Sequence, residues 1–362
     1  QIILGLLSFL AIFLGYLSWK FVEGPFRKRG FISRSKVFLL SFFVTVVILV
    51  IGIIGHLNNG YTGRLPSNLV WESLGAKLAA NGDVCDPQPV ADYDGINACK
   101  FGAVGSNKSV ILYGDSHAQA INEYLNKEFT KHNIEGIKIG LKDCQIVPSI
   151  LDTKDPLSKG NECSARFESL KAYIVSNNAD VIVISRWSFR LYPIKGVIDQ
   201  MPYQNSEGGR EFESYREYAV IKDGKLDFSS KTKSEAVEEL VEGFLATNQR
   251  IFFIYPVPEI AWNIAKKNFN YYKRYRTTLG EISIPYEDFK TRNRFVINIF
   301  DSFSNRENFY PVRPSEVFCN SFVKSRCVAQ YDSVPYYYDD DHLSDEGAKL
   351  VVDKFLRTIV NE

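Results

Sequence analysis

Two short segments carry residues whose types and spacing could do nucleophilic chemistry. Gly114-Asp115-Ser116-His117 follows the run SVILY (109–113) and precedes a helical pattern that starts at Ala118. A serine at the carboxyl end of a strand and the start of a helix has an exposed hydroxyl. Its own N–H can donate to a developing oxyanion. The same position is also where serine commonly serves as a plain helix N-cap. The second segment, Tyr338-Asp339-Asp340-Asp341-His342-Leu343-Ser344, stands before the last helical pattern. A serine nucleophile needs a base, and the base needs an orienting carboxylate. Asp339, three residues before His342, can fold back on the imidazole Nδ1–H. The chain has four histidines, His56, His117, His132 and His342. His56 belongs to an apolar edge, His132 to a polar stretch, and His117 adjoins the serine but points elsewhere in a turn. His342 is the base by elimination and by its acidic surroundings. The alternative for Asp339 to Asp341 is an acidic loop or a hard-cation site, but three adjacent carboxylates cannot all point inward, and no metal is expected.

Elements that could hold these segments recur along the chain. SVILY (109–113), IKIG (137–140), DVIVIS (180–185), RIFFIY (250–255) and FYPV (309–312) read as strands buried on both faces. Apolar residues repeat at helical spacing in 234–248 and again in 345–360. This alternation predicts an α/β fold, a parallel sheet with helices on both sides and ligands beyond the carboxyl ends of its strands. Residues 202–232 break the pattern, with Gly208-Gly209 and an Asp223-Gly224 hairpin signal. They read as a surface insertion or a flap.

Ahead of this domain the composition changes. Residues 1–19 and 37–55 carry no charge, and each is about long enough, at about 1.5 Å per residue, to cross a hydrocarbon core of ~30 Å. Between them, residues 20–36 hold six basic groups against one acid, while the whole chain of 362 residues has a net charge of +1. Two transmembrane helices joined by a cytoplasmic loop at 20–36 follow from the positive-inside rule, with everything after His56 on the far side. The near-neutral total gives no reason to expect nucleic-acid binding. Residues 57–84 read as a linker with a short helical stretch near 69–80, and residues 85–362 as the exported domain. Six cysteines all lie beyond residue 84 in successive neighbours, 85/99, 144/163 and 319/327. Neighbour pairing is the simplest of their possible connectivities, and it agrees with an oxidising compartment.

Here the sequence resembles a known family. GDSH after a strand and DxxHLS before the last helix together resemble an SGNH hydrolase or transferase domain, and LSWKFVEGPFRKR followed by one more span resembles the end of an acyltransferase family 3 membrane domain. Their combination is similar to fused proteins that O-acetylate bacterial surface polysaccharides, above all the O-antigen of lipopolysaccharide. YPVPE (255–259) and the Cys319–Cys327 region belong to the same resemblance. It implies Ser116 as nucleophile, His342 as general base and Asp339 as its orienter. It also implies an inner-membrane location with a periplasmic domain, and a polysaccharide or lipid-linked glycan as acceptor. The donor would be acetyl-CoA, used by an upstream membrane domain, with no cofactor bound by this chain. The family pattern usually supplies an Asn to the oxyanion hole, whereas the place after strand 180–185 reads Ser185-Arg186-Trp187-Ser188. The Ser116 N–H, Gly140 N–H, Arg186 and Trp187 are the oxyanion candidates. An esterase would use the same residues, and a glycan-binding module would need none of them.

Overall fold

The computed structural model describes residues 2–24, 33–58, 60–61, 87–141, 143–192, 202–211 and 216–361. The chain forms two compact units, Gln1–Pro66 and Ser67–Glu362.

The first unit holds α1 (Ile2–Leu17), which continues as a π-helical turn over Ser18–Glu23, and α2 (Arg34–Leu57). Among the described residues, α2 is the one helix long and apolar enough to cross a membrane. At 24 residues it reaches about 36 Å, and none of its residues is buried in protein. The α-helical part of α1 has 16 residues, about 24 Å, so it is the weaker candidate. Both ends of the segment expected as a loop at 20–36 are helical. Helical structure persists through Gly24, and α2 already starts at Arg34; residues 25–32 lie outside the described residues. Most of the expected linker, with its helical stretch near 69–80, lies outside the described residues.

The second unit starts with β1 (Gln88–Pro89), β2 (Ile96–Gly102), β3 (Ser109–Gly114), α3 (Ser116–Lys131), β4 (Glu135–Leu141), β5 (Ile150–Asp152) and α4 (Ser158–Asn177). It continues through β6 (Asp180–Ile184), α5 (Trp187–Leu191), β7 (Tyr218–Lys222), β8 (Lys225–Asp227), α6 (Ser230–Leu245), β9 (Ile251–Ile254) and α7 (Ile264–Tyr275). The last part is β10 (Ile282–Pro285), α8 (Tyr286–Asp301), β11 (Phe309–Val312), α9 (Ser315–Phe318), β12 (Arg326–Tyr331), β13 (Val334–Pro335), α10 (Asp345–Val352) and α11 (Leu356–Asn361).

Seven strands form one sheet in the order β1-β2-β4-β3-β6-β9-β11. The five strands expected from their apolar runs are its parallel core. β2 and β1 add an antiparallel edge. Alternate side chains feed two cores. Ile111, Tyr113, Val181, Val183 and Phe253 meet α4, α6 and α8 on one face; Val110, Leu112, Ile182, Ile184 and Phe252 meet α3, α10 and α11 on the other. Both faces are therefore covered, which is why these strands lack a polar alternation. The chain leaves β3 for β4 on one side and later returns to β6 on the other. The carboxyl end of β3 is thus a topological switch point, where open α/β sheets bind ligands.

Two expectations change. Residues 216–227 are no loose flap: β7 pairs with β5 on one side and β8 on the other, and Tyr218 and Val220 are buried in the core below α6. The Asp223-Gly224 turn has positive φ at both residues, 51° and 71°, as a tight hairpin requires. The single helix expected over 345–360 is two, α10 and α11, because the amides of Lys354 and Phe355 bond three residues back and tighten the chain between them. The apolar stripe survives the break, with Val352, Phe355 and Ile359 all buried.

Cys144–Cys163 and Cys319–Cys327 are disulfides, each a neighbour pair. Such clips contribute about 2–4 kcal/mol. Cys99 is also disulfide-bonded, and its expected partner Cys85 lies outside the described residues.

Candidate active site

Ser116 is the first residue of α3, two residues past the end of β3, and is exposed. The N-cap is Asp115, whose Oδ1 accepts from the His117 amide at 2.9 Å, so the Ser116 hydroxyl is spared that duty. The Ser116 amide, in the first turn, has no acceptor within the helix. Gly114 lets β3 end this close to β6: a Cβ there would sit 2.1 Å from Ile184 O and 2.8 Å from the Ala118 Cβ.

Asp115 fastens the turn from below. Its Oδ2 accepts from Ser185 Oγ at 2.7 Å and from the Arg186 amide at 3.1 Å, with Arg190 Nη2 at 3.5 Å. Burial pushes this carboxyl up, but the bond from His117, the charges of His117 and Arg190, and Ser185 outweigh it and hold it well below the usual range.

His342 arrives on the loop before α10. Its Nε2 is 2.7 Å from Ser116 Oγ, and its Nδ1 is 2.9 Å from Asp339 Oδ2. Asp339 Oδ1 accepts from the amides of Asp341 and His342 at 3.1 and 2.8 Å, which folds the four residues into a tight turn. Tyr338 stacks on the imidazole at 5.3 Å and 10°. Gly347 lets α10 abut this segment, since a Cβ there would lie 2.0 Å from Tyr336 O.

Asp341, not singled out by spacing, lies as close to the His342 imidazole as Asp339 does. Its Oδ1 is 2.8 Å from His342 Nδ1, and its Oδ2 is 2.9 Å from Arg186 Nε. The second contact is an ion pair whose N–H is not aimed along a hydrogen bond. Arg186 reaches on to Glu211, through Nη2, and to Glu259, while Arg292 grips Glu259 Oε2 at 2.7 and 3.0 Å. His342, Asp341, Arg186, Glu211, Glu259 and Arg292 thus form a chain of charges with almost no solvent contact beyond His342. Burial pulls the His342 pKa down, but Asp341 first and Asp339 next raise it well above the ordinary 6.5. Buried Asp341 is held low by Arg186 and His342. Asp340, pressed by burial and by its two acidic neighbours, is pushed up to about 7.

That last shift gives a stability prediction. A carboxyl whose folded pKa is raised favours the fold below its unfolded value of 3.8 and loses that contribution as pH rises through about 7. Asp340→Asn is therefore expected to raise the melting temperature at pH 8 and to leave it unchanged at pH 4. After screening, the gain is about 1–2 kcal/mol, and at roughly 2–4 °C per kcal/mol it reads as a few degrees. An equal shift at both pH values would assign the effect to something other than this ionisation.

The remaining oxyanion candidates have other positions. Trp187 Nε1 donates to Ile254 O at 2.8 Å inside the core, stacked against Phe253, so it offers no donor to Ser116. The Arg186 amide serves Asp115 and its guanidinium the buried carboxylates. Gly140 lies within β4 and lines a surface cleft with Asn97 and Lys138. Among the described residues, no hydrogen bond joins it to the Ser116, His342 or Asp339 side chains. His117 is buried, its ring 4.8 Å from that of His342. Two sets of donor atoms, His117-Asp341-His342 and Asp339-Asp340-Asp341, are close enough to hold a cation. Asp341, which belongs to both sets, is already paired with Arg186.

Residues 84–357 match the sequence model of the family described as "SGNH domain (fused to AT3 domains)". The chain belongs to this SGNH family. Among solved structures, the SGNH chain is similar to the periplasmic domain of the lipopolysaccharide acetyltransferase of Salmonella ser. Paratyphi A. Identity is 16%, covering 82% of this chain and 98% of that one, with a TM-score of 0.43. It is also similar to an acetyl xylan esterase, at 13% identity over 69% of this chain and 98% of the other, with a TM-score of 0.33. No curated protein matches it significantly in sequence. In this SGNH domain, Asp115 and Glu259 stand inside motifs legible in sequence, GDSH and YPVPE. Glu211 and Arg292 lie where no local pattern marks them.

Proposed function

We propose that this chain transfers an acetyl group to a hydroxyl of a bacterial surface polysaccharide, the O-antigen of lipopolysaccharide, through acetyl-Ser116. The observation that carries the reading is the relay Ser116 Oγ–His342 Nε2 at 2.7 Å and His342 Nδ1–Asp339 Oδ2 at 2.9 Å, at the switch point of the sheet. Membership of a family named for fusion to AT3 domains supports transfer, since a hydrolase needs no donor brought across a bilayer.

In this reading His342 Nε2 takes the Ser116 proton as Oγ bonds to the acyl carbon. The negative oxygen is met by the Ser116 amide. The imidazolium then gives its proton to the departing group as the donor bond breaks. A sugar hydroxyl next loses its proton to His342 and attacks the acetyl-serine; as the C–Oγ bond breaks, His342 returns that proton to Ser116 Oγ and the O-acetyl sugar leaves. The acetyl group comes from acetyl-CoA by way of an AT3-type membrane part to which α1 and α2 belong, and the Ser67–Glu362 unit works in the periplasm beside the inner membrane.

The test uses the chain in detergent with p-nitrophenyl acetate, with and without O-antigen polysaccharide. Acetylated glycan is the expected product. Free acetate alone, at a rate the glycan does not alter, would instead identify an esterase.

A further inference from the structure

Helix α7 begins against the loop that carries His342. The amides of Ile260 and Ala261 donate to Asp340 O at 2.8 and 3.2 Å, and that of Ile264 to Asp339 O at 3.3 Å. From there the helix runs 12 residues, about 18 Å, across the surface. Residues 264–276 read IAKKNFNYYKRYR: five basic groups, four aromatic rings and no acid. Among them, Phe269, Lys273, Arg274, Tyr275 and Arg276 are exposed. Cations lie over rings along its length. Lys267 Nζ is 3.3 Å from the centre of the Trp262 ring, Lys273 Nζ is 4.8 Å from Phe269, and the Arg274 guanidinium is 5.2 Å from Tyr275.

A run of like charge repels itself and is stabilised by an anionic partner. Exposed rings offer flat apolar faces of the kind that C–H-rich sugar faces cover. An interfacial membrane helix would present a continuous apolar face, of Leu as well as aromatic side chains. The one large aliphatic residue here, Ile264, is buried in the core. We infer that α7, with Trp262, is the track on which an anionic polysaccharide strand lies while its hydroxyl reaches Ser116. This rests on the acetyl-transfer reading for its purpose, but not for the binding itself.

The experiment uses the chain in phosphatidylcholine nanodiscs, titrated with polygalacturonate and, as a neutral comparison, dextran. Polygalacturonate is expected to bind and dextran far more weakly, with the difference shrinking as salt screens the cations. Replacing Lys273, Arg274 and Arg276 together by Gln should weaken polygalacturonate binding about tenfold. Phe269→Ala with Tyr275→Ala should weaken it several-fold, by roughly a stacking contact each. Hydrolysis of p-nitrophenyl acetate should stay at the wild-type rate in both variants, which also shows that they are folded. With an acidic glycan as acceptor, both should raise KM and leave kcat nearly unchanged. Variants that bind polygalacturonate as the wild type does would overturn the track. So would loss of that binding when the nanodisc contains phosphatidylglycerol, because the helix would then lie on lipid headgroups. If binding depends on α7 while no glycan is ever acetylated, the track stands and the transfer reading fails.

Discussion

Ser116→Ala is expected to lower acetyl-ester turnover by roughly 10⁴-fold or more, because among the described residues no other hydroxyl lies against His342 Nε2. The fold should hold within about 0.5 kcal/mol, as Ser116 is exposed and Asp115 is the cap that α3 needs. His342→Ala should match it in turnover. Asp339→Asn is expected to cost much less than either, because Asp341 Oδ1 lies 2.8 Å from the same Nδ1 and can keep the ring in place. The double change Asp339→Asn, Asp341→Asn should approach His342→Ala. The pH profile separates the two carboxylates from mere scaffolding. Protonated imidazole cannot accept the serine proton, so activity rises with pH and reaches half its plateau above 6.5, where Asp341 and Asp339 place the His342 pKa. Removing Asp341's charge lets His342 release its proton more easily, so the rise should move to lower pH even as the plateau falls. A Ser116→Ala chain that still supports full O-acetylation in cells would remove the nucleophile role, leaving a glycan-binding partner of the membrane enzyme.

The sheet was legible because burial on both faces leaves a plain signal: β3, β4, β6, β9 and β11 are short apolar runs with β-branched residues. The edge strand β2, INACKFG, mixes exposed and buried positions and carries no such signal, and β10 and β12 are set by their mutual pairing in a separate small sheet. At the site, Ser116, His342 and Asp339 were legible because a relay needs a fixed order of residue types at the ends of elements. What spacing could not show is where a third carboxylate points. Asp341 turns inward because Arg186 awaits it, and Arg186 is held there by Glu211 at Nη2 and Glu259 at Nε, from segments 25 and 73 residues on. Long-range ion pairs of this sort have no local periodicity to read.

Arg186→Met is the second large effect. Arg186 is 6% exposed and faces three carboxylates, Asp341, Glu211 and Glu259; Glu259 also has Arg292, and Asp341 has His342. Methionine fills much of the volume but takes from Glu211 its ion-pair partner and leaves Asp341 with His342 alone. Breaking such a cluster from one side costs about 3–5 kcal/mol, and at roughly 2–4 °C per kcal/mol the melting temperature should fall by on the order of 10 °C. The loss has a sign in pH. Without Arg186 the folded pKa values of Asp341 and Glu211 rise, the latter being already raised by burial. A raised carboxyl favours the fold at low pH and loses that contribution as pH climbs, so the gap to wild type should be small near pH 4 and widest above neutrality. Activity should report the same event at His342. With Asp341 protonated, the imidazole loses its strongest charge partner, and the pH–rate profile should shift downward as it does in Asp341→Asn. Arg186→Lys restores the charge but not the fork that spans three carboxylates, so it should recover part of the stability. A melting difference that is the same at pH 4 and pH 8 would mean that Arg186 matters through packing on Phe189, 4.7 Å away, and that the buried charges do not set the base.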